Sequence, residues 1–478
     1  MKKDYLETVR TGGQLNKKEQ MLLIIQLSIP AILAQVSSVI MQYIDASMVG
    51  RLGAEASASI GLVSSTTWLM GGLCNAAGIG FTVQVAHKIG AGRNRDARRI
   101  VRHGLLYLLG FSLVLAALGC FLSFFLPGWL GGDASIRKMA GSYFLVYALA
   151  LPALQMRMAA GGMLQSSGNM RIPSALNILM CVLDVLFNSV LIFPSLRIGS
   201  IRIPGAGLGV TGAALGTALS EVVVSILMLL FLLVRSEELH IRRGERASFQ
   251  KEELMTAIRI AVPVGVESAV MGGAYVVFTR IVSPLGNIAL AANSFAITAE
   301  SLCYMPGYGI AAAATTLIGQ SLGAGRQKLA RQMGLLTTGF GMAVMAGTGV
   351  LLYLLAPQMI GILTPDPEIR ALGTQVLRIE AFAEPMFAAS IVASGVFRGA
   401  GDTLVPSVMN FVSMWLVRLT LAAILAPRLG LRGAWIAMCI ELWVRGLLFL
   451  GRLVRQDRGR FSVFFRSSAK QEVIKPNR

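Results

Sequence analysis

Twelve ionisable side chains lie in or at the ends of long apolar stretches of this chain. The acids are Asp45, Asp184, Glu221, Glu267, Glu300, Glu380, Glu384 and Glu441, and the bases are Arg157, Arg378, Arg418 and Arg445. Charge in an apolar interior is expensive, so each is either functional or neutralised by a neighbour. Acids outnumber bases two to one, which favours a cation over an anion as the species bound inside. Asp184 and Asn188 are four residues apart, so on a helix their side chains share one face. A carboxylate and an amide carbonyl are hard oxygen donors suited to Na⁺, and a carboxylate alone can hold a proton. Asp45, near the end of the first apolar run, supplies a second carboxylate. Two such groups in a low dielectric repel, and a shared proton or cation relieves that repulsion. The plainer expectation makes Asp184 an interhelical hydrogen-bonding group and Asp45 a helix-end residue.

The elements that carry these groups are membrane helices. Of the 478 residues, 55% are apolar and only 14% charged, with a mean hydropathy of +0.67, far from a soluble globular average. Runs of about twenty apolar residues are long enough to cross the hydrocarbon core. Twelve are expected, six over 21–234 and six over 254–455, the tenth at 370–396. A polar segment (1–20) precedes them, a basic linker (235–253) joins the halves, and a basic tail (456–478) follows. Lys and Arg divide unevenly between the two sets of loops, about 30 against about 9, so both termini are expected in the cytoplasm of a multi-pass cell-membrane protein. The net charge of +19 therefore reads as a topology signal, and nucleic acid is not an expected partner.

The chain also repeats itself at one fixed offset. Pro30 returns as Pro263, Leu52-Gly53 as Leu285-Gly286, Gly90-Ala91-Gly92-Arg93 as Gly323-Ala324-Gly325-Arg326, Pro152 as Pro385, and Gly168 with Asn177 as Gly401 with Asn410. With an even number of helices before the linker, the halves are parallel repeats about an axis along the membrane normal, and a substrate path is expected between them. The offset does not carry the charges with it. Asp45 maps to Phe278, Asp184 to Val417 and Asn188 to Leu421, while Glu267 and Glu300 map back to Ala34 and Thr67.

Other chemistries lack their residues. Cys74, Cys120, Cys181, Cys303 and Cys439 fall in apolar segments without a CxxC pair, so core packing is expected rather than a disulfide or zinc site. His87, His103 and His240 show no metal spacing and are expected to be solvated. Gly207-Leu-Gly209-Val-Thr-Gly212 matches GxGxxG but opens a membrane helix instead of following a strand in a βαβ unit. No GxxxxGK[ST] is present, so uphill transport would draw on an ion gradient, with H⁺ or Na⁺ and no organic cofactor.

The runs PAILAQVSSVIMQYIDASMVGRLGAEA, MPGYGIAAAATTLIGQSLGAGR and FRGAGDTLVPSVMN together resemble the multidrug and toxic compound extrusion (MATE) family, from Pro30 to about Glu441. The resemblance implies an all-α integral membrane fold of twelve transmembrane helices, two six-helix repeats around a central cleft. It also implies exchange of small organic cations, drugs or metabolites, for H⁺ or Na⁺. Asp45 matches the family's first-helix aspartate. The fifth-helix pair falls on Asp184 and Asn188 with the two residue types exchanged, and Thr217 matches a sixth-helix hydroxyl of the same ion site. Glu267, Glu380 and Glu384 lie on helices where some members use coupling acids, and Glu300, Tyr304 and Met305 are expected to line the cleft. The lipid bilayer is the expected surrounding, with no obligatory protein partner.

Two other classes remain at this level. A flippase for an anionic lipid-linked oligosaccharide would use Arg157 and Arg418 as ligands rather than as partners of nearby glutamates. A receptor would bind without moving its ligand. Nothing in the chain resembles a catalytic constellation, and an enzyme is not expected.

Overall fold

The computed structural model describes residues 5–198, 201–240 and 250–455. Most of the linker (241–249) and the basic tail (456–478) lie outside them. In chain order the helices are α1 (Tyr5–Arg10), α2 (Lys17–Gly50), α3 (Ala54–Gly90), α4 (Asn94–Leu122), α5 (Leu126–Trp129), α6 (Ala134–Ser166) and α7 (Arg171–Ile192). A small antiparallel hairpin of β1 (Ser195–Ile198) and β2 (Ile201–Pro204) follows. Then come α8 (Gly209–Leu230), α9 (Lys251–Val282), α10 (Asn287–Gly323), α11 (Gln327–Leu363), α12 (Pro367–Ala381), α13 (Glu384–Gly399), α14 (Leu404–Val412), α15 (Leu419–Leu429) and α16 (Leu431–Arg455). Wider π-helical segments continue α8 over Phe231–Arg235 and join α14 to α15 over Ser413–Arg418.

Among the described residues, 11 helices are long and apolar enough to cross a membrane. The protein is a multi-pass membrane protein. The tenth expected span, 370–396, is broken into α12 and α13 at Phe382 and Ala383. Pro385 sits in the first turn of α13, where its missing N–H removes no helical bond. Its repeat mate Pro152 lies inside the unbroken α6, so the break belongs to the second half alone.

Contacts divide the chain into two compact units. The first comprises Leu33–Val85 and Asn94–Ser268; the second comprises Met1–Ile32, Ala86–Arg93 and Ala269–Arg478. These differ from the linear division at the linker, because α2, α3 and α9 each contribute residues to both. One apolar cluster of the first unit gathers Val63, Met70, Phe144 and Leu151, and the main cluster of the second surrounds Phe278, Leu377 and Trp435. The Trp435 indole donates to Asn293 Oδ1 at 2.9 Å, satisfying its one polar atom.

The repeated glycines mark repeated turns. Gly53 and Gly286 have φ of 112° and 99°, and Gly92 and Gly325 have 72° and 73°, a region that glycine enters without strain. Small residues also set the helix spacing, since lipid gives apolar side chains little reason to associate. A Cβ on Gly395 of α13 would stand 2.5 Å from the Ala311 carbonyl oxygen of α10, and Thr315 of α10 donates to Gly395 O at 2.9 Å. The glycines of the GxGxxG stretch serve a turn: Gly207 and Gly209 have positive φ, and Gly212 packs against the Leu191 backbone.

His87 corrects the expectation of a solvated histidine. It is buried at the end of α3 and its Nε2 is 2.8 Å from Gly399 O, because the last turn of α3 packs within the second unit. Cys74, Cys181 and Cys303 are buried and Cys120 and Cys439 half-buried, all as free thiols.

Gly395→Leu is expected to cost at least about 1–3 kcal/mol by overpacking the α10–α13 crossing. Gly339 has open space around its Cα, and Gly339→Ala is expected to be neutral or slightly stabilising. Thermal unfolding of the two purified variants in detergent compares them, and equal midpoints would contradict the close crossing.

Candidate functional site

Asp184 and Asn188 occupy one face of α7, and both are fully buried. The face is closed by α8, whose Gly216 makes this possible: a Cβ there would stand 2.0 Å from Asn188 Oδ1. Four residues on, Ser220 donates to its own helix at Thr217 O, 2.8 Å away, and its Oγ stands 3.4 Å from Asp184 Oδ1. Thr217 donates back to Ala213 O at 3.2 Å and is a neighbour of Asp184. From α2 comes Asp45, half-buried. Asn188 Nδ2 donates to Asp45 Oδ1 and to Asp184 Oδ2, each at 3.0 Å. The structure thus gathers Asp45, Asp184, Asn188 and Thr217 in the first unit.

No Lys or Arg side chain bonds either aspartate among the described residues. Two carboxylates joined by one neutral amide lack a compensating charge, and in a low dielectric that charge must come from a proton or a metal cation. One helical turn away the contrast is plain. Glu221 is held by Arg157 through a two-pronged pair, Nε to Oε2 at 2.5 Å and Nη2 to Oε1 at 3.0 Å, and Arg157 Nη1 donates to Asn177 Oδ1 at 2.9 Å.

The second unit holds a different arrangement. Glu441 of α16 is fully buried and accepts from Arg418 Nε at 3.0 Å, Arg418 Nη2 at 2.7 Å and Arg445 Nη2 at 2.9 Å, with Ser413 donating to its other oxygen. Two guanidinium groups on one carboxylate leave a surplus positive charge. Glu300 of α10 lies in the field of both arginines. Glu380 and Glu384 flank the α12–α13 break, fully buried, and among the described residues none of their carboxyl oxygens has a hydrogen-bond partner. Tyr304 packs its ring on Phe387 and Tyr308, with centroids 5.4 and 6.0 Å apart, within this unit. Met305 is half-buried and makes no polar contact that assigns it a role. Glu267, also half-buried, belongs to the first unit.

Sequence reasoning missed Gly216, Ser220, Ser413 and Asn177 as parts of these centres. Ser220 has a signal in retrospect: it lies one turn from Gly216, on the face of α8 that closes against α7. Ser413 has none, because its partner Glu441 is far along the chain.

The family model named MatE matches residues 30–190 and 263–424, two blocks that begin at the paired prolines of the internal repeat. The chain belongs to the MatE family. Among its relatives, "Probable multidrug resistance protein NorM" of Thermotoga maritima is 27% identical over 434 residues, covering 89% of this chain and 90% of the relative. "Multidrug resistance protein NorM" of Vibrio cholerae is 26% identical over 448 residues, covering 90% and 94%. The fold is shared with solved MATE structures. A crystal structure of MATE in complex with MaL6 superimposes with a TM-score of 0.87 at 21% identity, covering 95% of this chain and 98% of that one. An outward-facing multidrug resistance MATE family transporter gives 0.86 at 20% identity, covering 96% and 100%.

Within this MatE protein, Glu441→Gln would leave the buried Arg418 and Arg445 without their shared carboxylate. Breaking such a pair is expected to cost roughly 3–5 kcal/mol. The double variant Arg418→Gln with Glu441→Gln is expected to recover part of the loss. Denaturant unfolding of the purified proteins measures both, and additive losses would show that the two residues are not coupled.

Proposed function

We propose that the protein is a secondary active antiporter that exports small organic cations in exchange for H⁺ or Na⁺ by alternating access. The observation that carries this reading is the convergence of Asp45 and Asp184 on Asn188 with no cationic side chain on either. A group of this kind has two stable occupancies, with and without the coupling cation. Occupancy then changes the charge inside the first unit. A conformational equilibrium responds to a ligand only through a difference in affinity between its states. Repulsion between two bare carboxylates supplies such a difference, since any state that separates them is favoured when the cation leaves.

Membership of the MatE family and likeness to NorM multidrug resistance proteins support export of drug-like compounds. The acids of the second unit supply negative charge that suits a cationic substrate, with Glu300, Glu380 and Glu384 as its proposed counter-charges and Tyr304 as an aromatic face. Glu267 is assigned to the same role in the first unit. On this reading both termini lie in the cytoplasm of the cell membrane. The lipid-linked oligosaccharide reading is less well supported, because Arg157 and Arg418, which it would use as ligands, are each held by a carboxylate.

Reconstituted vesicles preloaded with a fluorescent organic cation are expected to release it when an inward gradient of H⁺ or of Na⁺ is imposed. Running each gradient alone identifies the coupling ion. Asp45→Asn and Asp184→Asn are each expected to reduce gradient-driven release by about tenfold or more while leaving the protein folded. Unchanged release in both variants would remove the proposed ion site. Flux of an anionic glycolipid lost on changing Arg157 or Arg418 would replace the function with lipid flipping.

A further inference from the structure

A cavity of about 350 Å³ on the second unit is lined by Tyr353, Arg378, Phe382, Ile436, Cys439 and Ile440. That volume is in the range of small-ligand sites, about 300–1,000 Å³. Its walls come from α11 and α16, both long and apolar enough to span a membrane, and from α12 and the break after it. Phe382 is 65% exposed, Ile440 41% and Tyr353 40%, which leaves the cavity open to the surroundings of those helices. Arg378 stands about 16 Å along α12 from its first residue at 1.5 Å per residue. The exposed apolar side chains around it are the kind of surface that lipid covers on a membrane helix.

Arg378 differs from the other intramembrane arginines. Arg157, Arg418 and Arg445 each hold a glutamate. Arg378 has no carboxylate partner among the described residues. Its Nε donates to Tyr353 O at 3.3 Å, its guanidinium lies 5.1 Å from the centroid of the Tyr353 ring, and Phe382 packs edge-on against that ring at 5.8 Å. These contacts hold the stem and one edge of the guanidinium and leave the Nη fork without a protein acceptor.

We propose that this groove binds a membrane phospholipid, with the phosphodiester on the Nη fork of Arg378 and an acyl chain along Ile436 and Ile440. An unpaired guanidinium facing hydrocarbon is costly, and a phosphate removes that cost with a planar two-pronged hydrogen bond that matches the fork. The apolar wall beside it selects a lipid over a free anion, because inorganic phosphate leaves the wall unused. The site is separate from the aspartate pair and from the Glu441 centre, and it goes beyond the antiport reading. It makes the second unit sensitive to the lipids around it.

Cys439, in the wall of the groove, serves as the reporter. Full-length protein in detergent is incubated with dioleoylphosphatidylglycerol, with dioleoylglycerol, or with inorganic phosphate. The rate at which N-ethylmaleimide alkylates Cys439 is then followed by mass spectrometry of its peptide. Dioleoylphosphatidylglycerol is expected to slow labelling at least fivefold, and the other two to leave it within twofold of the untreated protein. Arg378→Gln is expected to abolish the protection, and Arg378→Lys to keep part of it. If Arg378→Gln does not fold, Ile440→Trp fills the groove with the charge in place, and retained lipid counted by native mass spectrometry is expected to fall by one per chain. Equal protection by dioleoylglycerol or by phosphate alone overturns the proposal. So does protection that survives in Arg378→Gln, absence of protection in the unaltered protein, or a lipid count unchanged in Ile440→Trp.

Discussion

Asn188 has one amide nitrogen, and two carboxylates accept hydrogen bonds from it. Hydrogen bonding satisfies geometry there but leaves two negative charges to be balanced in a medium of low dielectric. Much of the first unit is arranged around that constraint. A glycine at 216 lets α8 close on Asn188, and the spacing of Asp184 and Asn188 places both on the inner face of α7. Asp45 is brought to them from a helix distant in sequence. The adjacent Glu221 shows the alternative outcome, since Arg157 neutralises it and fixes it in place. A charge already compensated has no reason to exchange ions, whereas an uncompensated pair gains from binding one.

The second unit handles the same physics with a different distribution of charge. Arg418 and Arg445 converge on Glu441, and the surplus positive charge faces acids whose oxygens have no hydrogen bonds of their own. The break between α12 and α13 puts Glu380 at the end of one helix and Glu384 at the start of the next. The two halves of the chain therefore share turns, prolines and helix order, yet place their buried charge by different local means.

Much of this was legible in the sequence. Hydropathy gave the spans because hydrocarbon demands about twenty apolar residues per crossing, and the repeated glycines and prolines announced the shared turns. The Asp184–Asn188 face followed from helical periodicity, and Asp45 stood out by the cost of its charge in an apolar run and by its match to the family's first-helix aspartate, not by spacing. What the sequence withheld was tertiary. Whether Arg418 pairs with Glu441, Glu380 or Glu300 depends on which helices touch, and no local pattern encodes that. His87 looked solvated because it stands just before a basic loop and shows no metal spacing, and the packing of distant segments such as that of Gly399 buries it. The split of the tenth span was equally hidden, since its proline has a repeat mate that breaks nothing.

The π-helical segment Ser413–Arg418 has a consequence for how this charge is placed. In an α-helix, residues five apart point about 140° away from each other at 3.6 residues per turn. The wider turn, bonded from each residue to the fifth along, brings positions 413 and 418 onto one side, and both reach the same carboxylate. An ordinary helix of the same length would turn Arg418 away from Glu441, whereas one residue fewer would place the two side chains four apart, about 40° from each other, and keep them on one face. The electrostatics of the second unit thus hang on the pitch of six residues as much as on the identity of any side chain.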